Sequence, residues 1–262
     1  MYLIYTCVCA GMVLLTIVLQ KLAFNYTSSL PEDAKKIGYG TIETAIFALM
    51  GLLVALTFAG AQARLELRKH VIVQEINAIN KAFLRLDLLP EKKVRNQMQL
   101  KFLSYLDSRI QFYKKMVDAD EGSDELTRTD QLQNDIWKSI LANTGSLEGH
   151  ATRLLLVPAL NDMFDIVTTR TAAIHTHTSG WIFSMLLFTV AVCAVLCGIS
   201  MSKTGHFSWT YATLFALITM ATIYMIFDME YPRFGFINLD YMEGMLVEVK
   251  QTMVQYMDSS RT

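Results

Sequence analysis

Charge is missing from four long stretches of this sequence. Residues 2–19, 44–61, 181–201 and 207–227 contain no Lys, Arg, Asp or Glu. With only 18% charged residues, 53% hydrophobic residues and a mean hydropathy of +0.32, the chain is too apolar for an ordinary soluble domain. Interruptions are also scarce: 4 Pro and 13 Gly in 262 residues leave long segments free to stay helical. The 4 cysteines (Cys7, Cys9, Cys193 and Cys197) all lie inside apolar runs, not in loops, so no disulfide framework is expected. Cys193 and Cys197 are four apart and share a helix face. They read first as small packing residues, with a metal or redox pair as the alternative.

A net charge of -1 gives no general attraction to nucleic acid, and no nucleic-acid partner is expected. Catalytic signatures are missing as well. There is no Walker A loop, no GxGxxG after a strand, no HExxH and no GxSxG. The chain is therefore not expected to be an enzyme, to carry a cofactor or to hold a metal. His175-Thr176-His177 is the one close histidine pair. Positions two apart point to different sides of a helix, so a shared metal would need a non-helical backbone there.

What is present is a set of four spans. Each apolar run is roughly 18–21 residues long, enough to cross a hydrocarbon core as a helix, where every backbone polar group is satisfied internally. Trp181, Trp209 and Tyr211 sit near run ends, as interfacial aromatics do. The first run has no basic residues before it and is long for a signal-peptide core, so it reads as a span. Arg64, Arg68 and Lys69 directly follow the second run and place its far end in the cytosol. Both termini are then cytosolic, and Asn25-Tyr26-Thr27 forms a glycosylation sequon in an outer loop.

Residues 64–177 read as several amphipathic helices. Leu67, Val71, Ile76, Ile79, Phe83 and Leu86 continue the second span at helical spacing, and Leu88-Leu89-Pro90 ends that helix. A helix over 91–117 carries Leu100, Leu103, Leu106, Ile110 and Tyr113 on one side. Residues 118–130, acidic and containing Gly122-Ser123, read as a loop. A further helix holds Leu132, Ile136, Trp137 and Ile140. The last carries Leu154, Leu155, Leu160, Phe164 and Val167, with Pro158 as an expected kink. The expected fold is all-α: four transmembrane helices with a cytosolic helical bundle inserted between spans two and three. Its segments are 1–63 (spans one and two), 64–178 (cytosolic helices), 179–229 (spans three and four) and 230–262 (cytosolic C-terminal segment).

Span two carries the candidate sites. Gly51, Ala55, Ala59 and Ala63 recur every four residues, a stripe that admits a second helix, from the same chain or from another subunit. Glu43, Phe47, Met50, Val54, Phe58 and Gln62 form another stripe. In a ring of subunits it would line a pore, with apolar rings that exclude water; otherwise it faces lipid. After span four, Asp228, Glu230, Pro232, Arg233 and Gly235 read as a structural clamp, with an ion or effector site as the alternative. Pro232 stops the helix, Gly235 allows a sharp turn, and Asp228 and Arg233 are placed to pair across it.

These residues also carry a family resemblance. Gly40-Thr41-Ile42-Glu43 through Phe47-Ala48-Leu49-Met50-Gly51-Leu52-Leu53 resembles the second-span motif of the bacterial bestrophin-like domain family. Gln74-Glu75-Ile76-Asn77-Ala78-Ile79, Leu84-Arg85-Leu86-Asp87-Leu88-Leu89-Pro90 and Asp228-Met229-Glu230-Tyr231-Pro232-Arg233-Phe234-Gly235-Phe236 are similar to later motifs of that family. More distantly the chain resembles the bestrophins, pentameric anion channels whose second helix lines a hydrophobic neck. That resemblance implies a homo-oligomer, a pentamer, with Phe47, Val54 and Phe58 as neck residues. It implies no calcium site, because only Asp228 and Glu230 stand where bestrophins carry an acidic run. A pore-facing ring of Glu43 would favour cations. The expected function is thus an oligomeric ion channel of the bacterial plasma membrane. The alternative is a membrane-anchored sensor or scaffold whose cytosolic helices bind a protein partner.

Overall fold

The structure is a computed structural model that describes residues 2–31, 40–115, 119–145, 149–232 and 235–259, with side chains described outside 2–8 and 119–123. Every regular element among these residues is a helix: α1 (Tyr2–Ser28), α2 (Gly40–Arg85), a 3-10 turn (Leu86–Leu88), α3 (Lys92–Lys115), α4 (Ala119–Asn143), α5 (His150–His175), α6 (Gly180–Lys203), α7 (Trp209–Glu230) and α8 (Asp240–Ser259). Four helical stretches are long and apolar enough to cross a membrane; they fall within Cys9–Ser28, Gly40–Leu88, His150–Lys203 and Trp209–Glu230. Absence of charge, and the need to satisfy backbone groups locally, account for all four.

The chain divides into two units. The first comprises Met1–Glu66 with Thr176–Asn238. Within it, α1 packs along α6 and α7. The seam is made of small residues four apart: Ala194, Gly198 and Ser202 on α6, and Ala212 and Ala216 on α7, all buried. Lipid is as apolar as these side chains, so close van der Waals fit holds such helices together. Gly198 shows how close: a β-carbon there would lie 2.2 Å from the Gln20 carbonyl oxygen. Gln20 is itself fully buried, its side-chain amide donating to the Ala212 carbonyl at 3.5 Å.

Helix α1 corrects one expectation. It runs past Lys21 to Ser28, so the sequon Asn25-Tyr26-Thr27 lies in its last turns and not in a loop.

The second unit comprises Leu67–His175 with Leu239–Thr262. Its core is built from the later part of α2 (Ile72, Ile76, Ile79, Phe83), from α3 (Met98, Phe102, Tyr105, Leu106) and from α5 (Leu156, Leu160, Met163). Helix α2 ends at Arg85 and tightens into the 3-10 turn, after which Leu89 turns extended ahead of Pro90. Of the acidic residues 118–130, expected as a loop, 119–130 instead belong to α4, and residue 118 lies outside the described residues. Tertiary contacts override the Gly122-Ser123 signal: Ser108 Oγ donates to the Glu125 carbonyl at 3.1 Å and meets Thr129 Oγ1 at 2.9 Å. Leu67, Leu100, Leu154 and Leu155, expected on packed faces, are exposed. Met98 and Phe102, two residues on either side of Leu100, and Leu156, two after Leu154, are buried in their place, while Leu160 is buried as expected. Pro158 lies inside a continuous α5. Helix α8, which local pattern did not reveal, packs on α3, with Leu246, Met253 and Met257 buried.

At the heart of this unit sits a buried charge cluster. Glu75 on α2 accepts from Arg109 Nε on α3 at 2.6 Å and from Arg170 on α5. Tyr113 accepts from Arg109 and donates to Glu75 Oε2 at 3.1 Å. The Arg170 guanidinium stacks on the Tyr113 ring, 3.3 Å from its centroid. Burial alone would push the Glu75 carboxyl up, but the two guanidiniums outweigh it and hold it below the usual range.

Candidate functional site

The candidate site is span two together with the residues that fix its ends. All of them belong to the first unit. Of the expected pore stripe, Glu43, Phe47, Met50 and Val54 are half-buried, while Phe58 and Gln62 are exposed. Glu43 pairs with Lys203 at 3.0 Å, at the end of α6. Phe47 meets Phe215 of α7 edge-on, with 6.3 Å between centroids. This side of the helix therefore turns toward its own chain at its first half. One helical turn drifts relative to spacings of three and four, so the stripe rotates outward by Phe58 and Gln62.

The small-residue stripe behaves differently. Gly51, Ala55, Ala59 and Ala63 are all exposed. A β-carbon at Gly51 would meet nothing within 4 Å. Within this chain the small seam lies on α6 and α7, and the second one, on span two, is left uncovered.

The far end of span two is tied by one carboxylate. Glu230, the last residue of α7, is almost fully buried. Its Oε1 accepts from Arg64 Nε at 2.9 Å, again from Arg64 Nη2, and from the Thr178 hydroxyl. Its Oε2 accepts from the Thr178 backbone N–H at 3.3 Å and lies 3.7 Å from His177 Nδ1. The His177 ring stacks on Tyr231 at 4.6 Å. Gly60 makes the Arg64 geometry available, since a β-carbon there would come within 3.3 Å of the guanidinium. Glu230 thus joins the end of span two, the segment before span three and the end of span four.

Two residues before it, Asp228 organises the following turn. Its Oδ2 accepts the backbone N–H groups of Phe236 and Ile237, each at 3.0 Å. Gly235 lets the carboxylate in, because a β-carbon there would sit 1.4 Å from Asp228 Oδ1. Pro232 is buried beside the helix end. Arg233, the expected partner of Asp228, lies outside the described residues. The donors to Asp228 are main-chain N–H groups, which the sequence alone did not suggest. It also missed Arg64, Thr178 and His177 as partners of Glu230. The spacing Gly60 to Arg64, one turn apart, is the single local signal that existed.

Cys193 is buried and Cys197 half-buried within α6. Among the described residues no three His, Cys, Asp or Glu side chains cluster as metal ligands would.

Comparison with known proteins agrees with these motifs. A family model, the Bestrophin-like domain, matches residues 10–240. No curated protein and no solved structure matches the chain. The match takes in α1 from residue 10, the other three apolar helices, Glu43 through Gln62 and the whole Asp228–Gly235 turn, and with the four apolar helices it points to a membrane protein. The chain belongs to the Bestrophin-like domain family.

Proposed function

We propose that this chain is one subunit of a homo-oligomeric ion channel in the bacterial plasma membrane, with α2 facing the shared axis. Conduction would be passive, through an apolar constriction that wets and dewets. The observation that supports this reading is the uncovered edge of span two. Gly51, Ala55, Phe58, Ala59 and Gln62 are exposed on a helix whose other side is held to its own chain at Glu43, Phe47 and Arg64. Small residues let neighbouring copies of α2 approach, and Phe58 then supplies the apolar ring. Phe47, packed on Phe215, serves in this reading to position the span.

In the same proposal the second unit is a cytosolic helical bundle inserted between spans two and three, both termini are cytosolic, and the ring is a pentamer. No enzymatic step is assigned to it. Detergent-purified protein examined by mass measurement and particle imaging tests the assembly, and a five-fold ring is expected. In liposomes Phe58→Ala raises ion flux several-fold over wild type. A monomer, or unchanged flux from an assembled and inserted Phe58→Ala protein, overturns the channel and favours the scaffold reading.

A further inference from the structure

At the end of the first unit where Glu43 meets Lys203, a second lysine has a different environment. The Lys21 ammonium lies 4.3 Å from the Phe207 ring centroid, 5.0 Å from that of Phe24 and 5.8 Å from that of Trp209. All three distances fall within the range of cation–π attraction. The rings brace one another, with Phe24 and Phe207 edge-on at 5.4 Å and Phe207 and Trp209 at 5.0 Å. Lys203 has its carboxylate. No acidic side chain among the described residues pairs with Lys21.

Rings attract an ammonium through their faces but accept none of its hydrogen bonds in the way an anion does. The three N–H donors of Lys21 thus keep a need for acceptors. The site also lies at a run end: Lys21 closes the first apolar stretch, and Trp209 opens α7. Trp209 and Tyr211 are largely exposed, as side chains that meet the headgroup layer are. At that depth the abundant acceptor is the phosphodiester of a phospholipid.

We propose that Lys21, with Phe24, Phe207 and Trp209, forms a headgroup site for an anionic phospholipid. The ammonium binds the lipid phosphate, and the rings hold the lysine stem upright and shield its inner side from water. An anionic headgroup such as phosphatidylglycerol is preferred over a choline headgroup, whose own cation competes with Lys21 for the rings. This assignment rests on the membrane spans and not on conduction.

The test uses the full-length protein in nanodiscs of equal phosphatidylglycerol and phosphatidylcholine with matched acyl chains. Native mass spectrometry counts the lipids that stay bound. Wild type retains phosphatidylglycerol about fivefold over phosphatidylcholine, the preference expected for one lysine near the membrane surface. Lys21→Gln brings the ratio toward one, Lys21→Arg keeps it, and Lys203→Gln leaves it unchanged. Equal retention in wild type, a preference for choline, or an unaltered ratio in Lys21→Gln overturns the proposal. So does displacement of the lipid by millimolar inorganic phosphate, which would make the site one for the free ion. Should Lys21→Gln fail to fold, a protein carrying Trp137→Phe and Trp181→Phe reports through Trp209. Its fluorescence is quenched more by headgroup-labelled phosphatidylglycerol than by headgroup-labelled phosphatidylcholine. Equal quenching overturns the site.

Discussion

Replacing Glu75 by Ala removes the single carboxylate that bonds both Arg109 and Arg170 in the core of the second unit. Arg109 and Arg170 are almost without solvent contact, and the next acid, Glu243, stands 3.7 Å from Arg170 Nη2. Taking one partner from a buried ion pair costs about 3–5 kcal/mol, because the remaining charge stays desolvated and unpaired. Here one carboxylate serves two guanidiniums and the Tyr113 hydroxyl, so the upper end of that range, about 5 kcal/mol, is expected. Hydrogen exchange on the full-length protein in detergent reads this locally. Core amides of α3 and α5 should exchange about four thousandfold faster, since every 1.4 kcal/mol is about tenfold. Acceleration of less than about tenfold would refute the energetic role assigned to the cluster.

The same carboxyl gives a pH signature. Its folded value lies below its ordinary 4.5, so the stabilisation is fully present above about pH 4.5 and is lost as pH falls through the lower folded value. Glu75→Gln should lack that acid limb. A triple variant, Glu75→Leu with Arg109→Met and Arg170→Met, should recover much of the loss, because apolar groups of similar volume carry no desolvation penalty.

Gly235→Ala should cost on the order of 2–3 kcal/mol, since the added carbon displaces the Asp228 carboxylate from two backbone N–H donors. Denaturant midpoints in detergent check this, and a shift within error would refute the assigned turn. Glu230→Gln should cost about 1–2 kcal/mol, with most of it shared with Arg64→Gln in a double-mutant cycle, because Arg64 is partly open to water. A coupling energy near zero would show that Glu230 does not hold the end of span two through Arg64.

The sequence by itself determined the four helical spans, the break at Leu89-Pro90 and the family motifs. Each is a local property. Charge-free length, the steric rule before proline and contiguous motif residues need no knowledge of what packs where. Tertiary structure alone decided which side of span two is covered. Hydrocarbon and protein interior are equally apolar, so Gly51, Ala55 and Ala59 carry no polar contrast to mark them as exposed, and the buried seam formed on Ala194, Gly198 and Ser202 instead. The charge partners were equally hidden. Glu75 finds Arg109 across 34 positions and Arg170 across 95, and Glu230 finds Arg64 across 166. No spacing rule reaches that far. Helix α4 overrode its own Gly-Ser signal once Ser108 and Thr129 met across the interface. Local chemistry sets which segments enter the membrane, and only three-dimensional packing sets which faces and charges meet, because solvation is felt residue by residue while contacts are made between distant parts of the chain.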